Sequence, residues 1–518
     1  MRAGRLAAAL IVLALLASGC PSKHKQGQPT PTTTVSGSPS GTLTIAYPAE
    51  PATLDPFTPA GDTPATRDLA RMLMPGLYKV TPSGARERWL LASEPVESSG
   101  PPFSVTIALR DDAVWSDGQP ITVDDVRFTW QLAVRRQIAR AGYDQIARIV
   151  TLSPKRARIE FRAPFRRWRD LFSAGLGVLP AHALSTPRSV ASLSSGWPVS
   201  GGPFVLTAWH RGLDMIFEPN PHGWAGTPHL KRLRVVFVPD SLGALTLFHE
   251  GAVDALAPYE APDWINRITG PGASVTTDAG ETWTGIVMNT RSKLLGDIQV
   301  RHAFADSLDR GRLVGGLIQG EGAALNAIPP ATSTAFATYG DIGRARAALS
   351  ADGWSGSGIR TKHGAKLSFT IAVADSDELG QVLARAITYQ AAGAGIDVQS
   401  VSLPVDELMS TWLTGARFDA AILEWRDPPE GAVSARFASG GRLLNVARLT
   451  DETLNRDLSA EDAAGAMGAS EVRLATDLPV LPLATLAVSL VSSGRAHGLI
   501  ANAEADGPFW NAEQWSVS

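Results

Sequence analysis

One cysteine in 518 residues, Cys20, constrains this chain more than any other feature. Without a second thiol there is no intrachain disulfide and no cysteine-based metal cluster, so a hydrophobic core alone must hold the fold. The chain is long enough for that. It is 44% hydrophobic and 19% charged, and at roughly 100–200 residues per domain it has material for two or three core-bearing units. The cysteine also has a telling position. Arg2 and Arg5 precede the apolar run Leu6 to Leu16, and Ala17-Ser18-Gly19 stands directly ahead of Cys20. That order reads as a secretory signal peptide over residues 1–19; the run is about half of the ~20 residues a spanning helix needs. Residues 21–40, rich in Ser, Thr, Pro, Gly and Gln, bury too little apolar surface to offset their ordering entropy and read as a flexible tether.

From residue 41 the pattern alternates between strand and helix. Leu43, Ile45 and Tyr47 share one side of a period-2 strand, as do Phe103, Val105, Ile107 and Leu109, and Ala157, Ile159 and Phe161. Thr122 is placed to cap a helix over Val123 to Val134, with Asp124 and Asp125 in its first turn. A strand from Leu233 to Val238 leads through Pro239-Asp240 into a helix ending near Gly251, and Val300, Phe304 and Leu308 form a helical stripe. Later come strand Leu367–Val373, helix Asp377–Ala392, strand Ile396–Val401, helix Val405–Leu413 and strand Phe418–Leu423. This β-α-β-α-β order predicts an α/β fold with a mostly parallel sheet and helical crossovers. Ligands of such sheets bind beyond the carboxyl ends of the strands, so the segment after Leu423 is the expected site.

Charge and motifs narrow the function. The net charge of −3 offers no global basic field for nucleic acid, and Arg135-Arg136 and Arg166-Arg167-Trp168-Arg169 read as solvated faces. No Gly-x-Ser-x-Gly elbow, P-loop, dinucleotide fingerprint or His-Glu-x-x-His helix occurs, so neither an enzyme nor a cofactor is expected. His222 and His229 lie in a Pro/Gly-rich stretch and read as surface residues rather than metal ligands; Asp111-Asp112 and Asp124-Asp125 read as turn and helix-start residues.

Several blocks, in a fixed order, carry a family resemblance. They are Gly41-Thr-Leu-Thr-Ile-Ala-Tyr47 with Pro51-Ala-Thr-Leu-Asp-Pro56, Gly76-Leu-Tyr78 with Thr81-Pro-Ser-Gly84, and Leu109-Arg-Asp-Asp-Ala-Val-Trp-Ser-Asp-Gly-Gln-Pro-Ile-Thr-Val-Asp-Asp-Val126 with Phe128-Thr-Trp130. Gly202-Pro-Phe204, Trp209, Glu218-Pro-Asn-Pro221, Trp224, Val300-Arg-His-Ala-Phe304 and Leu308-Asp-Arg310 follow. The chain resembles the family 5 extracellular solute-binding proteins, the dipeptide, oligopeptide and nickel receptors of ABC transporters. The Ala17-Ser-Gly-Cys20 segment is similar to a lipobox, with Ala17 where Leu is commoner; it implies a diacylated Cys20, and an ordinary cleaved signal is the alternative.

The resemblance implies a type II periplasmic-binding-protein fold of the large cluster, with two lobes joined by two crossing strands and closing by hinge motion. Lobe one is expected over residues 41–281 and 486–518, with an extra subdomain at about 60–195, and lobe two over 282–485. It also implies a monomer held at the outer face of the cytoplasmic membrane, partnered by permease subunits and a short peptide. In peptide-binding relatives an Asp downstream of a Trp pairs with the peptide ammonium. Here the stretch reads Glu424-Trp425-Arg426-Asp427-Pro428, with the usual spacing collapsed. Asp427 is therefore either the ammonium ligand or a structural Asp-Pro, and Glu424 either meets a cationic ligand or pairs with Arg426. Glu50 matches a cleft-facing position, a solvated turn being the alternative. Other readings remain open: a glutathione, haem, nickel-chelate or oligosaccharide receptor, or a lipoprotein with no importer that acts on cell-envelope assembly.

Overall fold

A computed structural model describes residues 41–518, apart from 137–139, 174–175, 225, 260–266, 269–271, 280–281, 318–323, 330–332, 426–436, 440–444 and 465–467. The signal, Cys20, the tether, Arg426 and Asp427 lie outside the described residues.

The chain opens in strand β1 (Thr42–Tyr47), whose Leu43, Ile45 and Tyr47 are all buried. An excursion then builds a smaller sheet from β2 (Val96–Ser98), β3 (Ser104–Ala108), β4 (Ile146–Ser153) and β5 (Arg156–Phe161), in the order β2-β3-β5-β4. Helix α1 (Val123–Arg135) interrupts it. Its start explains the longest of the sequence blocks. The Thr122 side chain accepts from Asp124 N–H at 3.3 Å, and Asp125 Oδ2 accepts from Thr122 N–H at 2.8 Å, a capping box. Asp125 also accepts from the indole of the fully buried Trp115 at 3.3 Å and from Ala181 N–H at 2.8 Å. Gly118, at φ +83°, makes the turn that brings its N–H back to Trp115 O. That block is scaffold.

The chain returns through β6 (Phe204–His210), β7 (Asp214–Pro219), β8 (Arg232–Phe237), helix α2 (Ser241–His249), β9 (Ala255–Leu256) and β10 (Ser274–Asp278). It then crosses to β11 (Trp283–Met288), helix α3 (Ile298–Asp306), β12 (Ser368–Ala374), helix α4 (Glu378–Ala392), β13 (Asp397–Leu403), β14 (Ala420–Trp425) and β15 (Val480–Thr485), and comes back in β16 (Val488–Ser492). Two main sheets result, seven-stranded β10-β16-β9-β1-β8-β7-β6 and five-stranded β13-β12-β14-β11-β15. The Val300, Phe304 and Leu308 stripe is buried against the second.

The chain passes between the sheets twice, from β10 to β11 and from β15 to β16. Leu486 N–H donates to Thr282 O at 2.8 Å where the two crossings run side by side. Each sheet has its own core. Leu43, Ile45, Phe217 and Val235 anchor one cluster, and Trp283, Phe304, Ile371 and Leu481 the other. Among the described residues no helix is long and apolar enough to cross a membrane.

Three expectations change in detail. The five-stranded sheet is mixed: β12 runs parallel to β13 and β14, but β11, which enters from one crossing, pairs antiparallel with β14 and with β15, which leaves by the other. The helix expected over Val405–Leu413 is α-helical only to Glu407 and π-helical over Leu408–Leu413. The last strand of the unit starts at Ala420 and runs on to Trp425, so Glu424 and Trp425 are paired strand residues rather than loop residues, opposite Thr284 and Trp283.

Candidate functional site

The parallel strands of both sheets deliver their carboxyl ends to one cavity of about 190 Å3. The exit of β1 contributes Pro48, Ala49 and Glu50, and the exits of β8 and β9 contribute Pro239, Pro258 and Tyr259. From the other side β12 leads to Ser376, Asp377 and Glu378, and β14 ends in Leu423, Glu424 and Trp425. Val405, Leu408 and Met409 of the distorted helix complete that wall. The cavity lies beyond the carboxyl ends of these strands, the place where the sequence puts the expected site.

Glu50 stands in the first wall with its carboxylate turned into the protein. Trp209 Nε1–H donates to Oε1 at 2.7 Å and Gly212 N–H donates to Oε2 at 2.8 Å. Gly212 can offer that N–H because it turns the β6–β7 hairpin at φ +73°. The Arg211 guanidinium lies 3.5 Å from Oε1 and sits over the Trp209 ring. Glu50 is among the residues that line the cavity, and both of its carboxylate oxygens are already accepting.

Glu424 is the opposite case. Its Oε1 is buried and has no hydrogen-bond partner among the described residues. Trp425 stacks on Trp283, ring centroids 4.2 Å apart and planes at 29°, and is only 3% exposed. Much of its surface is therefore spent on the core rather than offered to a ligand.

Sequence reasoning missed the neighbouring pair, Asp377 and Glu378. Asp377 caps α4, accepting Gly380 N–H at 2.6 Å. Burial, and after it the charges of Glu424 and Glu378, outweigh that bond and push its carboxyl up to about 7. Glu378 Oε1 accepts the Ser241 N–H from the start of α2 at 3.1 Å, a bond that ties one wall to the other. Tyr259 donates to Val238 O at 2.9 Å; burial, then the charges of Asp240 and Glu378, push its phenol up. A cap signal marked Asp377 as a helix start, but nothing local tells that this cap faces a cavity. No group of three or more His, Cys, Asp or Glu among the described residues is placed to hold a metal ion.

A cavity between two α/β lobes joined by two crossing strands defines a two-lobed binding protein of the type II architecture. The chain belongs to the bacterial extracellular solute-binding proteins, family 5, whose middle region matches residues 86–439. It is 22% identical over 445 residues to the oligopeptide-binding protein AppA of Bacillus subtilis, covering 80% of this chain and 79% of that one. The structure of AppA in complex with a nonapeptide superposes with a TM-score of 0.80 at 19% identity, covering 92% and 99% of the two chains. The periplasmic EDTA-binding protein EppA gives 0.80 at 22% identity over 93% and 98%. NikZ of Campylobacter jejuni in complex with Ni(L-His) gives 0.78 at 20% over 92% and 99%. These likenesses establish the fold. AppA and EppA are named as binding proteins.

Proposed function

We propose that this chain is the lipid-anchored receptor of an ABC importer. It is held through Cys20 at the outer face of the cytoplasmic membrane and captures short peptides by closure of two lobes. The observation that carries the ligand class is Glu424. A buried carboxylate oxygen in the cavity wall, with no partner among the described residues, is costly unless a cation arrives to meet it. A peptide ammonium does so, and AppA, the relative described above, is an oligopeptide-binding protein. An acidic cavity wall disfavours an anionic chelate as ligand.

In this reading lobe one is 41–281 with 486–518 and lobe two is 282–485. The separate cores and the two crossings support that division. Glu424, Asp427 and the edge of Trp425 meet the ligand with Arg426 beside them, and Glu50 forms the facing wall. Mass spectrometry of small molecules released from the purified protein tests the ligand class. Short peptides are the expected result, and a non-peptide ligand overturns the reading. For the anchor, Cys20→Ala is expected to release the mature protein from membranes; unchanged membrane association excludes acylation there.

A further inference from the structure

The described lining of the cavity holds five carboxylates, Glu50, Asp62, Asp377, Glu378 and Glu424, and one guanidinium, Arg67. Most of this charge is accounted for inside the protein. Glu50 is held by Trp209 and Gly212, and Glu378 by Ser241 N–H. Asp62 and Arg67 have interactions of their own. Asp377 and Glu424 differ. They come from adjacent parallel strands, Asp377 just beyond the end of β12 and Glu424 near the end of β14, and each lies in the other's field. Among the described residues the one donor to the Asp377 carboxylate is the cap N–H of Gly380, and Glu424 Oε1 is buried without a hydrogen-bond partner. Two carboxylates in each other's field, one of them with a buried oxygen, disfavour each other's charge unless a cation lies between them, and Asp377 holds its proton more readily than a free carboxyl until a cation replaces it.

We propose that Asp377 and Glu424 form a subsite for a cationic nitrogen group of the ligand, and that seating this cation expels a proton from the pair to solvent. No covalent bond to the ligand forms. The carboxyl O–H gives its proton to buffer and the ligand N–H donors take its place. The groups facing the pair are Glu378 on its own helix and, across the cavity, Glu50, Asp62, Arg67 and Tyr259. The raised Asp377 carboxyl agrees with this picture. Below about 7 Asp377 holds its proton and the cation must displace it, so capture tightens as pH rises and levels off above that value. The inference rests on the cavity being the ligand site proposed above and adds to it a residue, Asp377, and a proton.

Calorimetry with trialanine and N-acetyl-trialanine, each in two buffers of different protonation enthalpy, tests it on the purified protein. About one proton is expected to leave per trialanine bound near pH 6.5, with affinity rising about tenfold per pH unit below 7. Acetylation is expected to weaken binding about 10–100-fold, since each 1.4 kcal/mol is tenfold. Asp377→Asn keeps the helix cap, because Asn caps as well as Asp. It is expected to abolish proton release, whereas a purely structural role would lower stability and leave the proton count unchanged. Equal binding of both peptides without proton release overturns the subsite while leaving the peptide reading intact. If neither peptide binds, the peptide reading fails and 1,4-diaminobutane decides the subsite. Thermal stabilisation of wild type but not of the Asp377→Asn, Glu424→Gln double variant supports it, and no stabilisation of either overturns it.

Discussion

The two walls of the cavity are built from similar residues and end in opposite states. In the first wall Glu50 accepts from an indole and a backbone N–H, so its charge is fully used in holding the β6–β7 hairpin against the exit of β1. In the second, a buried oxygen of Glu424 has no hydrogen-bond partner among the described residues. The C-terminal return repeats the contrast within a few residues. Asp506 accepts from Val80 N–H at 2.6 Å through Oδ2, and its Oδ1, which makes no hydrogen bond among the described residues, is ion-paired with Arg71 at 3.1 Å. Glu504, only 6% exposed, has an Oε2 without a hydrogen-bond partner among the described residues. Matched carboxylates hold a fold together. Unmatched ones store free energy that a ligand or a proton can release.

The largest test of this contrast is Glu504. Burial, and then the charge of Asp278, raise its carboxyl to about 7, against an unfolded value of 4.5. A carboxyl raised on folding contributes stability that is present below its unfolded pKa and lost as pH rises through the folded one. The empty protein is therefore expected to lose up to about 3 kcal/mol between pH 4.5 and pH 8 from this group. Glu504→Gln should remove that slope in denaturant titrations, and an unchanged slope would show that Glu504 is matched after all.

Next in size is Glu50→Leu, which strands two donors at the hairpin. Urea unfolding should show a loss of about 2 kcal/mol, discounted because the side chain is 23% exposed. The smallest effect carries the opposite sign. Glu424→Gln in the empty protein should stabilise it by about 1 kcal/mol, because an uncompensated charge leaves a buried site. Were both substitutions to destabilise equally, the distinction between the walls would be lost.

Much of the scaffold was legible because its signals are local. Leu43, Ile45 and Tyr47 lie on one face because side chains alternate along a strand, and all three are buried. Thr122 and Asp125 are three residues apart, the spacing a capping box requires. Asp377 was legible as a helix start for the same reason. Its place in the cavity was not, because Glu424 reaches it only through the pairing of β12 with β14. The end of β14 was misplaced because its length depends on a partner. Pairing with β11 continues to Trp283 opposite Trp425, so the strand outlasts the apolar run that marked it.

By itself the sequence determined what short-range sterics and polarity determine: alternating strands, capped helices and turn residues such as Asp117-Gly118. Tertiary structure decided which carboxylates are spent and which remain available. Glu50 is satisfied by Gly212, 162 positions away. Trp425 is turned toward the core by Trp283 on a strand entering from the other sheet. A side chain's hydrogen-bond state is set by whatever the fold brings within about 3 Å of it, and no local pattern records that.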